Sequence, residues 1–362
     1  MKKIGILTLP PNGNYGGVLQ CAALYGYLSD QGHEVTLIAN SEFIDRPFWQ
    51  RVLISILEII PFQNIKNFRR AFIFQKQFFS IHIPRQSSRV TSQEELLEIT
   101  SHEGFDTVIV GSDQVWRWEY IKDSFGRYFL DFVDRTATRK ISYAASFGND
   151  RWEGLECAAI VRNLMSDFHA VSVRESSAVD MCLEFGRLDC IHVLDPTLLV
   201  SREFYDRFSS PKKEPEKHPY LLAYILDSSK NKSAVIDHAL NTLGKGYSLR
   251  QIGHNSLTTI PQWISKFRDS DFVITDSFHG MVFSIIFRKR FIVLGNESRG
   301  LSRFTSLLDQ LCLTNRFVPF AQLDKQLLES VIEEEINYDA VDDKLSALRA
   351  TSEKFLHAAI DG

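Results

Sequence analysis

The sequence predicts an α/β protein with two Rossmann-like, doubly wound domains that face a cleft. Short apolar runs, of a length suited to buried strands, alternate with segments whose apolar residues recur at helical spacing. The alternation occurs on both sides of SSPKKEPEKHP at 209–219, a charged stretch with three prolines and the composition of a linker. We therefore expect an N-terminal domain at 1–208, a C-terminal domain at 220–335 and a helical tail at 336–362.

Length and composition restrict the class of protein. The 362 residues suffice for two domains of ordinary size, and the hydrophobic (44%) and charged (24%) fractions are those of a soluble globular protein. A formal net charge of −4 argues against general nucleic-acid binding, which needs a basic surface. The apolar run at the N-terminus is too short for a signal peptide and no run is long enough to span a bilayer, so we expect a cytoplasmic protein.

The cysteine pattern agrees with a reducing compartment. The five cysteines contain no CxxC pair and are Cys21, Cys157, Cys182, Cys190 and Cys312. An odd, scattered set of this kind predicts free thiols, and no group of residues has the spacing of metal ligands.

The N-terminal stretch has the pattern of a strand, a glycine-rich turn and a helix. We predict a strand at Lys3–Leu9 and a helix at Val18–Leu28, joined by PPNGNYGG at 10–17. The turn fits neither the GxGxxG pattern of dinucleotide-binding folds nor a phosphate-binding loop with its lysine. Two interpretations remain, a loop that approaches a ligand and an ordinary tight turn. The residues that would line a ligand are Asn14, Tyr15, Gly16 and Gly17.

Residues 43–83 differ from the rest of the chain because aromatic side chains alternate with arginine and lysine. Pro61 divides the stretch into two helical pieces. One interpretation is a helical insertion that covers the sheet with its basic residues in water. The other is a segment that lies on a membrane surface.

Candidate ligand-binding side chains follow three predicted strands of the first half. The strands are Phe105–Val110, Lys140–Ala145 and Ala170–Val173, and the side chains that follow them are Ser112, Asp113, Gln114, Ser146 and Arg174. Ligands of open α/β sheets bind at the carboxyl ends of the strands, and arginine is a natural partner for carboxylate or phosphate. The alternative is a hydrogen-bonded loop with Trp116 in the core and Arg174 paired with Glu175 or another acid.

The second half contains DFVITDSFHGMVFSIIF, which has the pattern of a strand, a polar turn and a helix. We predict a strand at Asp271–Thr275, a turn at Asp276–Gly280 and a helix at Met281–Phe287. Ahead of this stretch we predict helices at Lys230–Leu243 and Ile260–Asp269. His279 therefore lies where a helix begins, and free N–H groups together with the helix dipole suit that place to an anion. The alternative is a histidine whose ring is hydrogen-bonded to backbone.

Six strings occur in the order found in the polysaccharide pyruvyl transferase family, which the sequence resembles. They are NYGGVLQCAALYGYL, VIVGSDQVW, SYAASFG, VSVRE, VLDPTLL and VITDSFHGMVFSIIF. The resemblance covers roughly the first three hundred residues, whereas the stretch 43–83 and the C-terminal tail carry no motif.

The resemblance implies a fold like that of two-Rossmann (GT-B) glycosyltransferases. It also implies a bacterial enzyme of exopolysaccharide or capsule biosynthesis. The activity it implies is transfer of pyruvate from phosphoenolpyruvate to a sugar, usually as a cyclic ketal across two hydroxyls, with no cofactor and no metal. Acceptors in this class are often sugars on a lipid diphosphate at the inner face of the membrane. This gives weight to a peripheral membrane contact through 43–83.

The resemblance also suggests roles for individual residues. His279 would act as general acid or contact the phosphate, and Asp113 would act as general base or orient a sugar hydroxyl. Family members commonly carry arginine two residues before this histidine, where this chain has Ser277. Anion binding would then depend on Arg174, the helix dipole, and Arg299 or Arg303. The other residues expected at the site are Asp276, Gly280, Ser112, Gln114, Ser146, Asn14, Tyr15, Gly16 and Gly17.

Two other functions are compatible with the sequence. A glycosyltransferase of the same fold would use a sugar nucleotide, with Asp276 or Glu297 bound to the ribose. A non-catalytic binding protein of a polysaccharide gene cluster would explain the missing arginine, but it leaves the joint presence of Asp113, Arg174 and His279 unexplained. A nicotinamide enzyme is disfavoured because the glycine fingerprint is absent.

Overall fold

A computed structural model describes residues 1–10, 14–40, 74–90, 92–211, 218–253, 258–295, 300–319 and 325–362. The chain forms two compact units. The first contains most described residues up to Val200 together with Ala347–Gly362, and the second contains those of Ser201–Ser346. The division thus falls ahead of the stretch at 209–219 that has the composition of a linker.

The first unit is built on a six-stranded sheet in which every pairing is parallel. Its spatial order is β2-β1-β3-β4-β5-β6. The strands are β1 Lys3–Leu7, β2 Glu34–Leu37, β3 Thr107–Val110, β4 Arg139–Ala145, β5 Ala170–Val173 and β6 Ile191–His192. Nearly all residues of β1 and β3–β5 are buried, as expected for a parallel sheet covered on both faces.

Helices of the first unit alternate with these strands. They are α1 Tyr15–Asp30, α2 Gln93–Glu103, α3 Trp118–Ile121, α4 Phe125–Tyr128, α5 Ala158–Ser166 and α6 Ser176–Glu184. Ser92 begins α2 by accepting a hydrogen bond from the backbone N–H of Glu95 at 3.2 Å. Trp116 is fully buried, and its ring stacks on Phe129 with centroids 5.2 Å apart. The interpretation that placed Trp116 in the core is therefore confirmed.

The second unit is built on a five-stranded parallel sheet. Its spatial order is β8-β7-β9-β10-β11. The strands are β7 Tyr220–Ile225, β8 Ser248–Gly253, β9 Phe272–Thr275, β10 Arg290–Leu294 and β11 Phe317–Val318. In each unit, the strand that comes second in the sequence lies at the edge of the sheet. The strand that comes first lies between it and the strand that comes third.

Helices of the second unit follow the same alternation. They are α7 Arg202–Asp206, α8 Lys230–Leu243, α9 Ile260–Asp269, α10 Phe278–Ile286, α11 Ser302–Gln310, α12 Lys325–Glu333 and the first part of α13 Tyr338–Asp361. The sequence predicted α8 and α9 with these bounds. It placed the start of α10 three residues late, at Met281, because Ser277 caps the helix by accepting the N–H of Gly280 at 3.3 Å. It did not predict α6 or β11.

The helical tail at 336–362 does not stand apart from the two units. The residues of α13 from Ala347 onward belong to the first unit, and the earlier ones belong to the second. In the first unit, Arg349 Nε donates to the carbonyl of Leu198 at 2.9 Å, and the N–H of Leu194 donates to Ser352 Oγ at 2.9 Å.

Most of the aromatic and basic stretch 43–83 lies outside the described residues. Residues 74–82 are helical, and Phe78 and Phe79 on this helix are 4% and 6% exposed. No helix within the described ranges is long and apolar enough to cross a membrane.

Candidate active site

Each sheet changes winding direction between its first and third strands, and this is the switch point at which doubly wound sheets bind ligands. In the first unit it lies between the carboxyl ends of β1 and β3, and in the second between those of β7 and β9. Most of the predicted site residues fall in the turns beside these two points. The two switch points are described in turn.

At the first switch point, the turns after β1 and β3 are joined by a side-chain hydrogen bond. Asn14 Nδ2 donates to Asp113 Oδ2 at 2.9 Å. Asp113 is 4% exposed and has a left-handed backbone, with φ of 67°. A Cβ at Gly17 would lie 3.1 Å from Asn14 Nδ2 and 3.3 Å from Asp113 Oδ2, so glycine leaves the approach to this carboxylate open. The structure thus brings together Asn14, Gly17 and Asp113.

Arg174 reaches the same carboxylate from the end of β5, but it is surrounded by acids. Its guanidinium lies 3.5 Å from Asp113 Oδ1, and its NH1 donates to Asp195 Oδ2 at 2.8 Å. Glu175 Oε2 lies 3.9 Å from Arg174 Nε. Burial opposes the charge, but Asp195, Asp113 and Glu175 together raise the pKa of Arg174 above its ordinary value. Because the side chain is 1% exposed and its charge faces three carboxylates, the ion-paired interpretation describes its surroundings.

Asp195 is a buried carboxylate that accepts hydrogen bonds from several parts of the first unit, and it was not predicted as a site residue from the sequence. Its Oδ2 accepts hydrogen bonds from Arg174 and from Ser112 Oγ, the latter at 3.2 Å. Its Oδ1 accepts the N–H of Thr197 at 3.0 Å and the Thr197 hydroxyl at 2.6 Å. Asp195 therefore ties the exit of β3 to the exit of β5. The available signal was its place in VLDPTLL, an acid directly after an apolar run.

Other predicted site residues of the first unit form hydrogen bonds within the protein. Ser146 Oγ donates to Glu175 Oε1 at 2.8 Å, and Gln114 Oε1 accepts from Arg117 NH1 at 2.9 Å. Ser112 is fully buried, and its hydroxyl also donates to the carbonyl of Ala144 at 3.0 Å.

The glycine-rich turn continues into the first turn of α1. Tyr15 and Gly16 are both buried there. Burial raises the pKa of Tyr15 to about 12, so its hydroxyl stays protonated at neutral pH.

At the second switch point, Asp276 bridges the turns after β7 and β9. Its Oδ1 accepts the N–H of Leu226 at 2.7 Å, and its Oδ2 accepts the N–H of Asp227 at 3.1 Å. Lys232 Nζ donates to the same Oδ2 at 2.6 Å and to the carbonyl of Asp227 at 2.8 Å. Asp276 is fully buried, and these contacts fix the turn after β9.

Lys232 was also not predicted as a site residue from the sequence. It is 5% exposed and lies in the first turn of α8, where the helix dipole disfavours a positive charge. The first turn of a helix favours acids, and a lysine there was the available sequence signal.

The turn after Asp276 is shaped by close packing. The N–H of Ser277 donates to Thr275 Oγ1 at 3.1 Å. A Cβ at Gly280 would lie 2.9 Å from Thr275 Cβ and 2.9 Å from Tyr224 Cδ1. Ser277 and Gly280 thus bring the start of α10 close to the sheet.

His279 and Arg303 both lie next to the ring of Phe278. The His279 ring contacts Phe278 edge-on, with centroids 5.3 Å apart, and Arg303 Cζ lies 5.9 Å from the Phe278 centroid. They are 5% and 6% exposed, respectively. The structure therefore places both predicted residues at one corner of the second unit, whereas Arg299 and Glu297 lie outside the described residues.

Residues 14–298 match the family model for polysaccharide pyruvyl transferase. The chain belongs to the polysaccharide pyruvyl transferase family. The family is one of transferases, and the match includes Asn14, Asp113, Arg174 and the turn that carries His279. The resemblance seen in the sequence is confirmed. No curated protein matches the chain.

Several solved structures are similar in fold to this pyruvyl transferase family member. HepE from Anabaena, solved with UDP and glucose, has a TM-score of 0.52 and 10% identity over 98% of this chain and 95% of its own. MnaA from S. aureus, solved with UDP, has a TM-score of 0.51 and 10% identity over 96% and 91%. The UDP-GlcNAc 2-epimerase of Methanocaldococcus jannaschii has a TM-score of 0.50 and 10% identity over 93% of each chain. At this identity the likeness concerns the fold, and the predicted two-Rossmann α/β fold is confirmed.

Two further features bear on what the pyruvyl transferase chain can bind. Within the described ranges, no group of three or more His, Cys, Asp or Glu residues could hold a metal ion. A cavity of about 210 Å³ lies at the amino ends of β4, β5 and β6, where Arg139, His169 and Ile191 line it. The cavity therefore lies at the amino ends of the strands, opposite the carboxyl ends that form the first switch point.

Proposed function

We propose that the protein transfers pyruvate from phosphoenolpyruvate to two hydroxyls of a sugar in a cell-surface polysaccharide precursor, as a cyclic ketal. The observation that carries this proposal is the family match over 14–298, which includes the turns at both switch points. Each of those turns holds a group of the type that the reaction needs, a carboxylate at Asp113 and an imidazole at His279.

The chemistry defines what the side chains have to do. The methylene carbon of phosphoenolpyruvate gains a proton, and a sugar hydroxyl attacks the neighbouring carbon and loses its own proton. The bond from that carbon to the phosphate oxygen then breaks, and the second hydroxyl closes the ring as it loses a proton. One hydroxyl proton replaces the one taken by the methylene carbon, and the other leaves with phosphate. Histidine and carboxylate are the usual groups for such transfers at neutral pH.

We assign the donor to the second unit. His279 in the first turn of α10 is the general acid or the phosphate contact, and Arg303, next to the Phe278 ring, adds positive charge. Free N–H groups at the start of α10 favour the same anion. Ser277 contributes the helix cap and no charge.

We assign the acceptor sugar to the first unit, with Asp113 as the base or the group that orients a hydroxyl. Asn14 and Gly17 form the approach to its carboxylate. Arg174 was expected to bind an anion, but its three acidic neighbours support a different role. In this proposal it is a positioning residue that holds Asp113.

The test is an assay with purified protein, phosphoenolpyruvate and candidate lipid-linked galactosides. We expect phosphate release together with a sugar product that has gained pyruvate by mass. His279→Gln is expected to lower the rate by about a hundredfold or more. The matched control is His238→Gln, on the same unit but paired with Glu329 at 3.1 Å on the surface. A fully active His279→Gln protein would remove the central assignment.

Glycosyl transfer is the rival function, because HepE and MnaA hold UDP. Thermal unfolding with phosphoenolpyruvate and with UDP-sugars separates the two, since a ligand raises the unfolding temperature of the protein that binds it. A rise with UDP-sugar alone would favour glycosyl transfer. No rise with either donor, and no turnover, would favour a non-catalytic binding protein.

The acceptor of the proposed reaction is a sugar on a lipid diphosphate, presented at the cytoplasmic face of the membrane. The aromatic and basic stretch 43–83 is the candidate contact with that surface. Flotation with anionic liposomes, comparing the wild type with a Phe48→Ser and Trp49→Ser double variant, tests it. Equal flotation of the two proteins would argue against a membrane contact by this stretch.

A further inference from the structure

A buried lysine–aspartate pair lies at the second switch point, where Asp276 begins the turn that carries His279. Lys232 Nζ is 2.6 Å from Asp276 Oδ2, and the two side chains are 6% and 0% exposed. The carboxylate also accepts two backbone N–H groups, from Leu226 and Asp227. The pair therefore joins three elements, the start of α8, the end of β7 and the end of β9.

Stability alone does not account for this pair. Burying two charges removes both from water, and replacing such a pair with apolar side chains of similar size is often neutral or stabilising. The lysine also lies in the first turn of α8, where the helix dipole disfavours it. Asp276 already has backbone donors that would fix the turn. What Lys232 adds is a positive charge next to a buried negative one.

We propose that Lys232 is a positioning residue that neutralises Asp276, so that the turn at 276–280 accepts an anionic donor. The inference rests on the proposed function, in which phosphoenolpyruvate binds at the start of α10. An uncompensated carboxylate directly before Ser277 would repel the carboxylate and phosphate of the donor, and burial would leave that repulsion poorly screened. Ser277 is an uncharged cap and does not offset it.

The test is a double-mutant cycle of Lys232→Met and Asp276→Asn, with KM for phosphoenolpyruvate and kcat measured for each protein. Lys232→Met alone is expected to raise KM about tenfold or more and to change kcat less, because it leaves a bare negative charge. Asp276→Asn alone is expected to leave KM at or below the wild-type value, because the ammonium then attracts the donor. The double variant is neutral at both positions and is expected to return KM to within about threefold of the wild type.

The matched control is Lys230→Met, an exposed lysine two residues earlier on α8, which is expected to leave KM unchanged. A purely structural role for the pair predicts that both single variants and the double variant lose activity together, without a selective change in KM. That pattern, or an unchanged KM in Lys232→Met, would overturn this inference but not the proposed function. If Lys232→Met does not fold, a raised KM in Asp276→Asn or in the double variant would also overturn it, and wild-type values there would support it. A wild type that neither binds nor turns over phosphoenolpyruvate would overturn the proposed function and this inference with it.

Discussion

The two switch points hold an aspartate in the same place but surround it differently. Asp113 and Asp276 each follow the third strand of their unit. Asp113 is held by side chains, the amide of Asn14 and the guanidinium of Arg174. Asp276 is held mainly by backbone N–H groups, with Lys232 as its side-chain partner.

The difference suggests how the two acids divide their work. Side chains can change partner when a substrate arrives, whereas backbone donors fixed by a sheet cannot. Asp113 is therefore suited to exchange a hydrogen bond with a sugar hydroxyl. Asp276 is suited to hold the turn that presents His279. Single substitutions at the two switch points test this contrast.

The largest effect is expected from Arg174→Met. It leaves the carboxylates of Asp113, Asp195 and Glu175 buried without their shared cation, and breaking a buried ion pair from one side costs about 3–5 kcal/mol. Urea unfolding followed by tryptophan fluorescence measures the change. The control is Arg162→Met on the exposed face of α5, for which we expect a change within about 0.5 kcal/mol. Equal stability of the two variants would show that the acids do not depend on Arg174.

Lys232→Met is expected to cost less, about 1–3 kcal/mol, because Asp276 keeps two backbone donors, whereas the partners of Asp113 in the described part of the chain are the side chains of Asn14 and Arg174. The same urea titration gives the comparison with Arg174→Met. A loss equal to or greater than that of Arg174→Met would remove the proposed contrast between side-chain and backbone support.

The third residue of the helix after each turn offers a matched pair of substitutions. Gly280→Ala places a methyl group 2.9 Å from both Thr275 Cβ and Tyr224 Cδ1, and such overpacking costs about 1–3 kcal/mol. The nearest atoms to a methyl group at Gly17 belong to side-chain ends, Asn14 Nδ2 at 3.1 Å and Asp113 Oδ2 at 3.3 Å, so we expect Gly17→Ala to cost less than about 1 kcal/mol. Its main effect is expected on KM for the acceptor sugar. Thermal unfolding measures the stability of the two variants, and acceptor kinetics measures KM. A larger loss of stability in Gly17→Ala than in Gly280→Ala would contradict the prediction.

The smallest effect is a dependence of stability on pH that arises at His192, at the carboxyl end of β6. His192 Nε2 is 2.9 Å from the carbonyl of Arg174, and burial lowers the pKa of His192 below its ordinary value of 6.5 while this hydrogen bond opposes the shift. The unfolded chain therefore takes up the proton first as the pH falls. This stability is fully present above pH 6.5 and is lost as the pH falls from there to the folded pKa.

His192→Gln tests this dependence through the unfolding temperature across the same pH range. We expect a shallower slope, and a slope that remains in part because burial also lowers the pKa of His33, His82 and His169. Identical slopes in the two proteins would show that His192 does not couple protonation to folding.

Much of the fold could be predicted from the sequence because buried parallel strands are short apolar runs and the helices between them are amphipathic. The strand Ala170–Val173 and the helices Lys230–Leu243 and Ile260–Asp269 were predicted with their observed bounds. The strand Phe317–Val318 was missed because two residues carry no periodic pattern. The helix Phe278–Ile286 was predicted to start too late because its first turn is polar and glycine-containing.

The sequence by itself determined the alternating α/β elements, the family, and the turns that carry Asn14, Asp113, Arg174, Asp276 and His279. Tertiary structure alone decided the partners of those side chains. Asp195 and Lys232 are distant in sequence from the residues they contact, at separations of 21 from Arg174 and 44 from Asp276. A linear pattern shows which residues end a strand, but the charge balance of a buried acid depends on which other strand ends lie beside it. That is fixed by the order of strands in the sheet, which no local spacing encodes.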